Sequence, residues 1–175
     1  TEPPLGTITL TCAQNSEESS CQTQDAIDTA FGTWIGGFGV TGDDNPTVVY
    51  SLTEGGDPIN LVDLTAPDAC GGTIIVYASA SNDCGLTANC SGTFTVAAPI
   101  DFTLPENDGS VIACIELSIA PTLPTVEDSC GNILTPTGPT MGGTYTDCEG
   151  TVTYTYSYAD ECGLYSHDWM YTYTI

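Results

Sequence analysis

Bulky and small residues alternate strictly in the last part of the chain. Val152, Tyr154, Tyr156 and Tyr158 are separated by Thr153, Thr155 and Ser157, and Trp169, Tyr171, Tyr173 and Ile175 by Met170, Thr172 and Thr174. Successive side chains of an extended chain point to opposite faces, so this period of two predicts two strands, each with one bulky face and one small polar face. Ile74, Val76 and Ala78 repeat the pattern in the first half and are predicted to point inward. Clusters of Gly, Pro, Asn and Asp between such runs favour turns. One stretch has a different period. Ile27, Ala30, Phe31, Trp34, Ile35 and Phe38 recur at three- and four-residue steps, which predicts a single amphipathic helix over about 25–38. Asp25 is its expected cap, and Gly36, Gly37 and Gly39 its expected stop. Short strands with no second long helical segment predict an all-β fold of sandwich type.

The pattern occurs twice. Cys70-Gly-Gly-Thr, fourteen residues before Cys84-Gly-Leu, matches Cys148-Glu-Gly-Thr, fourteen residues before Cys162-Gly-Leu. Upstream, Thr-Leu-Thr-Cys12 matches Val-Ile-Ala-Cys114, and downstream Gly92-Thr-Phe-Thr-Val96 matches Met170-Tyr-Thr-Tyr-Thr-Ile175. From first cysteine to the Cys-Gly-Leu cysteine is 84 − 12 = 72 residues in one repeat and 162 − 114 = 48 in the other, so the first carries an insertion of 24 that contains the helix. The expected organisation is two tandem immunoglobulin-like β-sandwiches, 1–98 with the helical insertion and 99–175 without it, divided at Ala97-Ala98-Pro99.

Charge narrows what such a chain does. It has no Lys or Arg, 23 carboxylates and a formal net charge of −23. Nucleic-acid binding rests on basic side chains neutralising phosphates, so a nucleic-acid partner is excluded, as is an anionic membrane surface. A hydrophobic content of 41% is that of a globular chain, and no run is long enough to span a bilayer. Thr1 opens directly into domain-like sequence, so the export signal is expected elsewhere. Catalytic means are scarce. Without Lys or Arg there is no side-chain phosphate cradle or lysine base, and His167, the one histidine, reads as a solvated loop residue beside Asp168. Paired carboxylates such as Asp43-Asp44 and Asp160-Glu161 read as solvated turns. No enzyme is expected.

Nine cysteines without a CxxC pair, spaced 9, 49, 14 and 6 in the first repeat and 16, 18 and 14 in the second, fit a disulfide framework of an oxidising compartment better than zinc. Sandwich topology places the second and sixth strands opposite one another. On that basis Cys114 is expected to bridge to Cys162 and Cys130 to Cys148, one of three pairings open to four cysteines. The first repeat has no counterpart of Cys130 near Gly42-Asp43-Asp44-Asn45. The first choice there is Cys12 with Cys90 and Cys21 with Cys84, leaving Cys70 as the odd thiol.

The second repeat, through Glu127-Asp-Ser-Cys-Gly-Asn132, Asp147-Cys-Glu-Gly-Thr-Val-Thr-Tyr-Thr-Tyr156, Asp160-Glu-Cys-Gly163 and Asp168-Trp-Met-Tyr-Thr-Tyr-Thr-Ile175, resembles the HYR-like repeats of very large Bacteroidota surface proteins of the SprB gliding-adhesin type. The first resembles a companion repeat, through Cys21-Gln-Thr-Gln-Asp-Ala-Ile-Asp-Thr-Ala-Phe31 with Trp34, Ala69-Cys-Gly-Gly72 and Cys90-Ser-Gly-Thr-Phe-Thr-Val96. The resemblance implies type IX secretion, display at the cell surface, and a role in adhesion or motility as a spacer in a long fibre. It also makes Thr29, in Asp28-Thr29-Ala30, a candidate O-glycosylation site. The expected partners are neighbouring repeats, copies in a fibre, or surface glycans and substratum. No cofactor is expected beyond calcium, for which Asp101, Glu106 and Asp108 are the candidate ligands. Stacking of sugars on exposed tyrosine faces is the alternative, a lectin-like module, but alternation with Thr favours a core role for those rings.

Overall fold

A computed structural model describes residues 6–175; the first five residues of the expected N-terminal domain lie outside the described residues. The strands are β1 (Ile8–Thr11), β2 (Ser16–Glu18), β3 (Gly39–Gly42), β4 (Thr47–Ser51), β5 (Gly72–Ser81), β6 (Thr87–Val96), β7 (Asp108–Val111), β8 (Thr137–Thr146), β9 (Glu149–Ala159) and β10 (Ser166–Thr174). The helix α1 spans Gln24–Ile35. The chain divides into two units, an N-terminal one running to Ala98 and a C-terminal one from Pro99 to Ile175. The architecture is all-β with one short helix, in two immunoglobulin-like units.

Both units are built on the same four-stranded sheet. Its order is β2-β6-β5-β4 in the N-terminal unit and β7-β10-β9-β8 in the C-terminal unit. In each, a short edge strand runs parallel to the last strand, and the two long central strands form an antiparallel hairpin. The alternation is realised in the burial. Val152, Tyr154, Tyr156 and Tyr158 of β9 and Trp169 and Tyr173 of β10 are buried, while the intervening threonines are not. On β5, Val76, Ala78 and Ala80 are buried and Ile74 is half-buried.

The layer facing each sheet differs. In the N-terminal unit it comprises the two-stranded β1–β3 sheet and α1. Phe31 meets Phe94 of β6 edge-on at 5.2 Å, and Trp34 stacks on Phe31 at 5.6 Å. Gly92 of β6 leaves room for this, because a Cβ there would sit 3.1 Å from Trp34 and 3.0 Å from Phe38. In the C-terminal unit the facing layer is extended chain with a single bridge, Glu127–Ile133, and contributes Phe102, Val126 and Leu134 to the core.

The helix starts at Gln24, its cap two residues before the expected one. Thr23, not Asp25, is the cap, its hydroxyl accepting from the Ala26 N–H at 3.3 Å. Asp25 sits in the first turn, where its charge favours the helix dipole. The helix ends at Ile35 rather than Phe38, with Gly36 at its C-terminal cap.

Candidate functional site

The Cys-Gly-Leu motif is the hairpin turn that joins the two central strands of each unit. Gly85 and Gly163 take φ of 81° and 65°, left-handed values that favour glycine and explain the residue after each cysteine. Two residues before the cysteine, one buried side chain closes the turn. Asn82 Oδ1 accepts from the Leu86 N–H at 2.9 Å, and Asp160 Oδ1 accepts from the Tyr165 N–H at 3.0 Å. The Asp160 Oδ2 atom is buried with no hydrogen-bond partner among the described residues.

The C-terminal unit has a second side-chain-closed turn, Asp128–Asn132. The Asp128 carboxylate accepts from the N–H groups of Cys130 at 2.8 Å and Asn132 at 2.9 Å, and from the Asn132 amide at 3.0 Å. Desolvation acts to raise Asp128, but these bonds outweigh it and hold the carboxyl below its ordinary range. In the N-terminal unit the equivalent loop carries Asp44 where a cysteine would sit. The Cys84 thiol donates to Asp44 Oδ2 at 3.2 Å. That bond, with desolvation, pushes the thiol above its ordinary range.

Six of the nine cysteines are disulfide-bonded: Cys12, Cys21, Cys70, Cys90, Cys130 and Cys162. Cys12 joins Cys90, with Cα atoms 6.0 Å apart. Cys84, Cys114 and Cys148 are thiols. The pairings Cys114–Cys162, Cys130–Cys148 and Cys21–Cys84 are therefore corrected, and the odd thiol of the first repeat is Cys84 rather than Cys70.

The reason is strand length. Cys148 and Cys162 lie at opposite ends of the 11-residue β9, roughly 35 Å apart at ~3.3 Å per residue, and a disulfide needs Cα atoms within about 7 Å. The facing layer runs the length of β9, since Ser118 O accepts from the Tyr154 hydroxyl at 2.7 Å and Pro124 O from the Tyr158 hydroxyl at 3.0 Å. Cys114 therefore precedes it at the Cys148 end and Cys130 follows it at the Cys162 end. The ten-residue β5 likewise separates Cys70 from Cys84, and Cys21 follows β2, whose Glu18 is level with the Cys70 end of β5.

Most of the tyrosine rings on which a sugar-stacking face would depend are inside, and Tyr171 is half-buried. Tyr154, Tyr156, Tyr158 and Tyr173 are buried, and the Tyr173 hydroxyl donates to Ile119 O at 2.9 Å. Burial raises the phenols of Tyr158 and Tyr173.

The acidic candidates are dispersed. Asp101 Oδ1 lies 2.7 Å from His167 Nε2, Asp108 Oδ1 accepts from the Gly109 N–H, and Glu106 contributes its backbone carbonyl to the Trp169 indole. No three His, Cys, Asp or Glu residues converge among the described residues, and no cofactor is indicated. His167 lies in β10 rather than in a loop, its side chain 40% exposed to solvent beside Asp101, with the Phe102 ring centroid 4.9 Å away. Thr29 lies exposed on α1, its hydroxyl donating to Asp25 O at 2.8 Å. A groove of about 520 Å³ runs between α1 and residues 61–66, floored by Phe31, Ile35 and Leu61 with Gln24 and Asp28 at its rim. Sequence reasoning missed it, because the 61–66 segment has no periodicity.

Residues 102–175 match the family described as the HYR-like domain with 4 cysteines. The matched segment contains Cys114, Cys130, Cys148 and Cys162. A search of curated proteins finds no match. The C-terminal unit is thus similar to a HYR-like repeat, and a disulfide-bridged repeat of this kind fits an extracellular, adhesion-type module. No helix among the described residues is long and apolar enough to cross a membrane.

Proposed function

We propose that this chain is a non-catalytic structural segment of a long bacterial cell-surface adhesin or filament, of the gliding type, exported by a type IX route. The observation that carries the reading is the repetition itself. One sheet order recurs in two units, each with bridged cysteines, and one of them matches a HYR-like repeat. Modules of this kind serve as links, whose value lies in staying folded outside the cell, where oxidants keep bridges closed. A chain without Lys or Arg also offers no site to trypsin-like proteases. Neighbouring repeats of the same protein, or copies in a fibre, are the partners this role calls for.

Antibodies raised against the 175-residue chain should label intact, unpermeabilised cells of the producing bacterium and reduce their attachment to a surface. Labelling only after permeabilisation would overturn the reading.

A further inference from the structure

We propose that Cys114 and Cys148, both thiols here, are redox partners that close a fourth disulfide at the end of the C-terminal sheet opposite the Cys-Gly-Leu turn. Strand register supplies the first argument. Val111 of β7, Thr174 of β10 and Thr151 of β9 lie abreast. Cys114 lies three residues beyond Val111 and Cys148 three residues before Thr151, in the turn between β8 and β9, so both lie past this level at the same end of the sheet. Both overhangs stay tied to β10, through Ile112 N–H to Thr174 O and Ile175 N–H to Gly150 O, each 2.9 Å.

The lateral gap is the remaining distance. β7 and β9 flank a single strand, so their axes are about 9–10 Å apart, against the ~4.4–6.8 Å between Cα atoms that a disulfide requires. The chain after β7 leans the right way. Past Cys114 it makes a short 3₁₀ turn, Ile115–Leu117, and crosses above the sheet so that Ile119 O reaches the Tyr173 hydroxyl on β10 and Ser118 O the Tyr154 hydroxyl on β9.

The other unit supplies an independent argument. There Glu18 of β2, Val96 of β6 and Gly72 of β5 lie abreast in the same sheet order. Cys21 lies three residues beyond Glu18 and Cys70 two residues before Gly72. Both of these are disulfide-bonded. Cysteines at matching places in the two units are thus bridged in one and reduced in the other.

Closure needs an oxidant, and a small disulfide such as oxidised glutathione suffices. The exposed Cys148 thiolate attacks one glutathione sulfur, forming a mixed disulfide and releasing one glutathione thiol. Cys114 then attacks the Cys148 sulfur and releases the second, so two electrons and two protons pass from the protein to two glutathione thiols. Cys148 acts first because it is exposed, whereas a hydrogen bond to Glu116 pushes the Cys114 thiol up.

The whole chain is refolded in a glutathione redox buffer, its thiols are counted in denaturant without reductant, and its bridges are mapped by mass spectrometry after cleavage at acidic and aromatic residues. One thiol per chain, Cys84, and a linked peptide pair holding Cys114 and Cys148 are expected. Cys84→Ser should bring the count to zero, and Cys148→Ser should leave two. Three thiols in the parent chain, glutathione retained on Cys148, or either cysteine joined to any other would overturn the proposal. This outcome is independent of surface labelling, so failure of one leaves the other standing.

Discussion

The two units place the same sheet under different covers, and the strands are composed accordingly. In the N-terminal unit the sheet presents one aromatic, Phe94, among small and medium side chains, Val76, Ala78, Ala80 and Val96, and further aromatic mass arrives from outside on α1 as Phe31 and Trp34. In the C-terminal unit there is no helix, and the strands carry the bulk themselves as Tyr154, Tyr156, Tyr158, Trp169 and Tyr173. Tyrosine, rather than phenylalanine, suits that place. The facing layer is nearly without ladder hydrogen bonds, so its carbonyls need donors, and Ser118, Ile119 and Pro124 receive them from tyrosine hydroxyls. The helix-covered unit has one analogous contact, the Trp34 indole donating to Gln14 O at 2.7 Å. A short sandwich can thus complete its core with a helical lid over small residues, or with long polar-tipped rings that bond the irregular layer directly.

The contrast can be broken at several points. The largest effect is expected from removing the Cys12–Cys90 bridge by Cys12→Ser with Cys90→Ser. With a separation of 78 residues the closed loop contributes about 4 kcal/mol, and calorimetry should show the N-terminal transition lost or strongly lowered while the C-terminal one stays. Trp34→Ala should cost the same unit about 3–5 kcal/mol in denaturant titration, since it empties the centre of the aromatic cluster. Tyr158→Phe, which keeps the ring but strands Pro124 O, should cost the C-terminal unit about 1–2 kcal/mol by the same method.

Asp160→Asn puts the N-terminal unit's own solution into the C-terminal turn. Asparagine keeps the acceptor for the Tyr165 N–H and puts an amide N–H in place of the unbonded oxygen, a group that in the N-terminal unit donates from Asn82 to Asp43 O at 3.4 Å, so a gain of about 1 kcal/mol is expected. The converse Asn82→Asp should be unfavourable by a similar amount. The smallest effect is set by pH. The raised phenols of Tyr158 and Tyr173 are neutral in folded and unfolded chains below about pH 10. Above that the unfolded chain ionises first, so stability falls as pH rises towards the folded values. Thermal melts in alkaline buffers should show the C-terminal transition drop.

Much of this is legible in the sequence. The alternation from Val152 to Tyr158 names the inward face residue by residue, and the three- and four-residue steps from Ile27 to Phe38 mark the helix and the face it buries. Local competition was harder to read. Thr23 and Asp25 are both good caps, and only the path of the preceding chain decides between them. Cysteine pairing failed for a different reason. Counting cysteines along matching segments says nothing about which end of a strand each one faces, and a single long strand such as β9 puts Cys148 and Cys162, 14 residues apart in sequence, at opposite ends of the sheet. The clue available was the Asp44 loop. Its missing cysteine points to one odd thiol in the first repeat but not to which one: the sequence suggests Cys70, and the thiol is Cys84, which contacts Asp44.

Sulfur bridges and layered strands should make a link that resists pulling, and single-molecule force spectroscopy on the tandem chain measures this directly. Oxidised chain pulled from its two termini should extend in two events, with the first unit shortened by the 78 residues between Cys12 and Cys90, roughly 270 Å of chain, and reductant should restore that length. Equal extension with and without reductant, or one event for the whole chain, would contradict it.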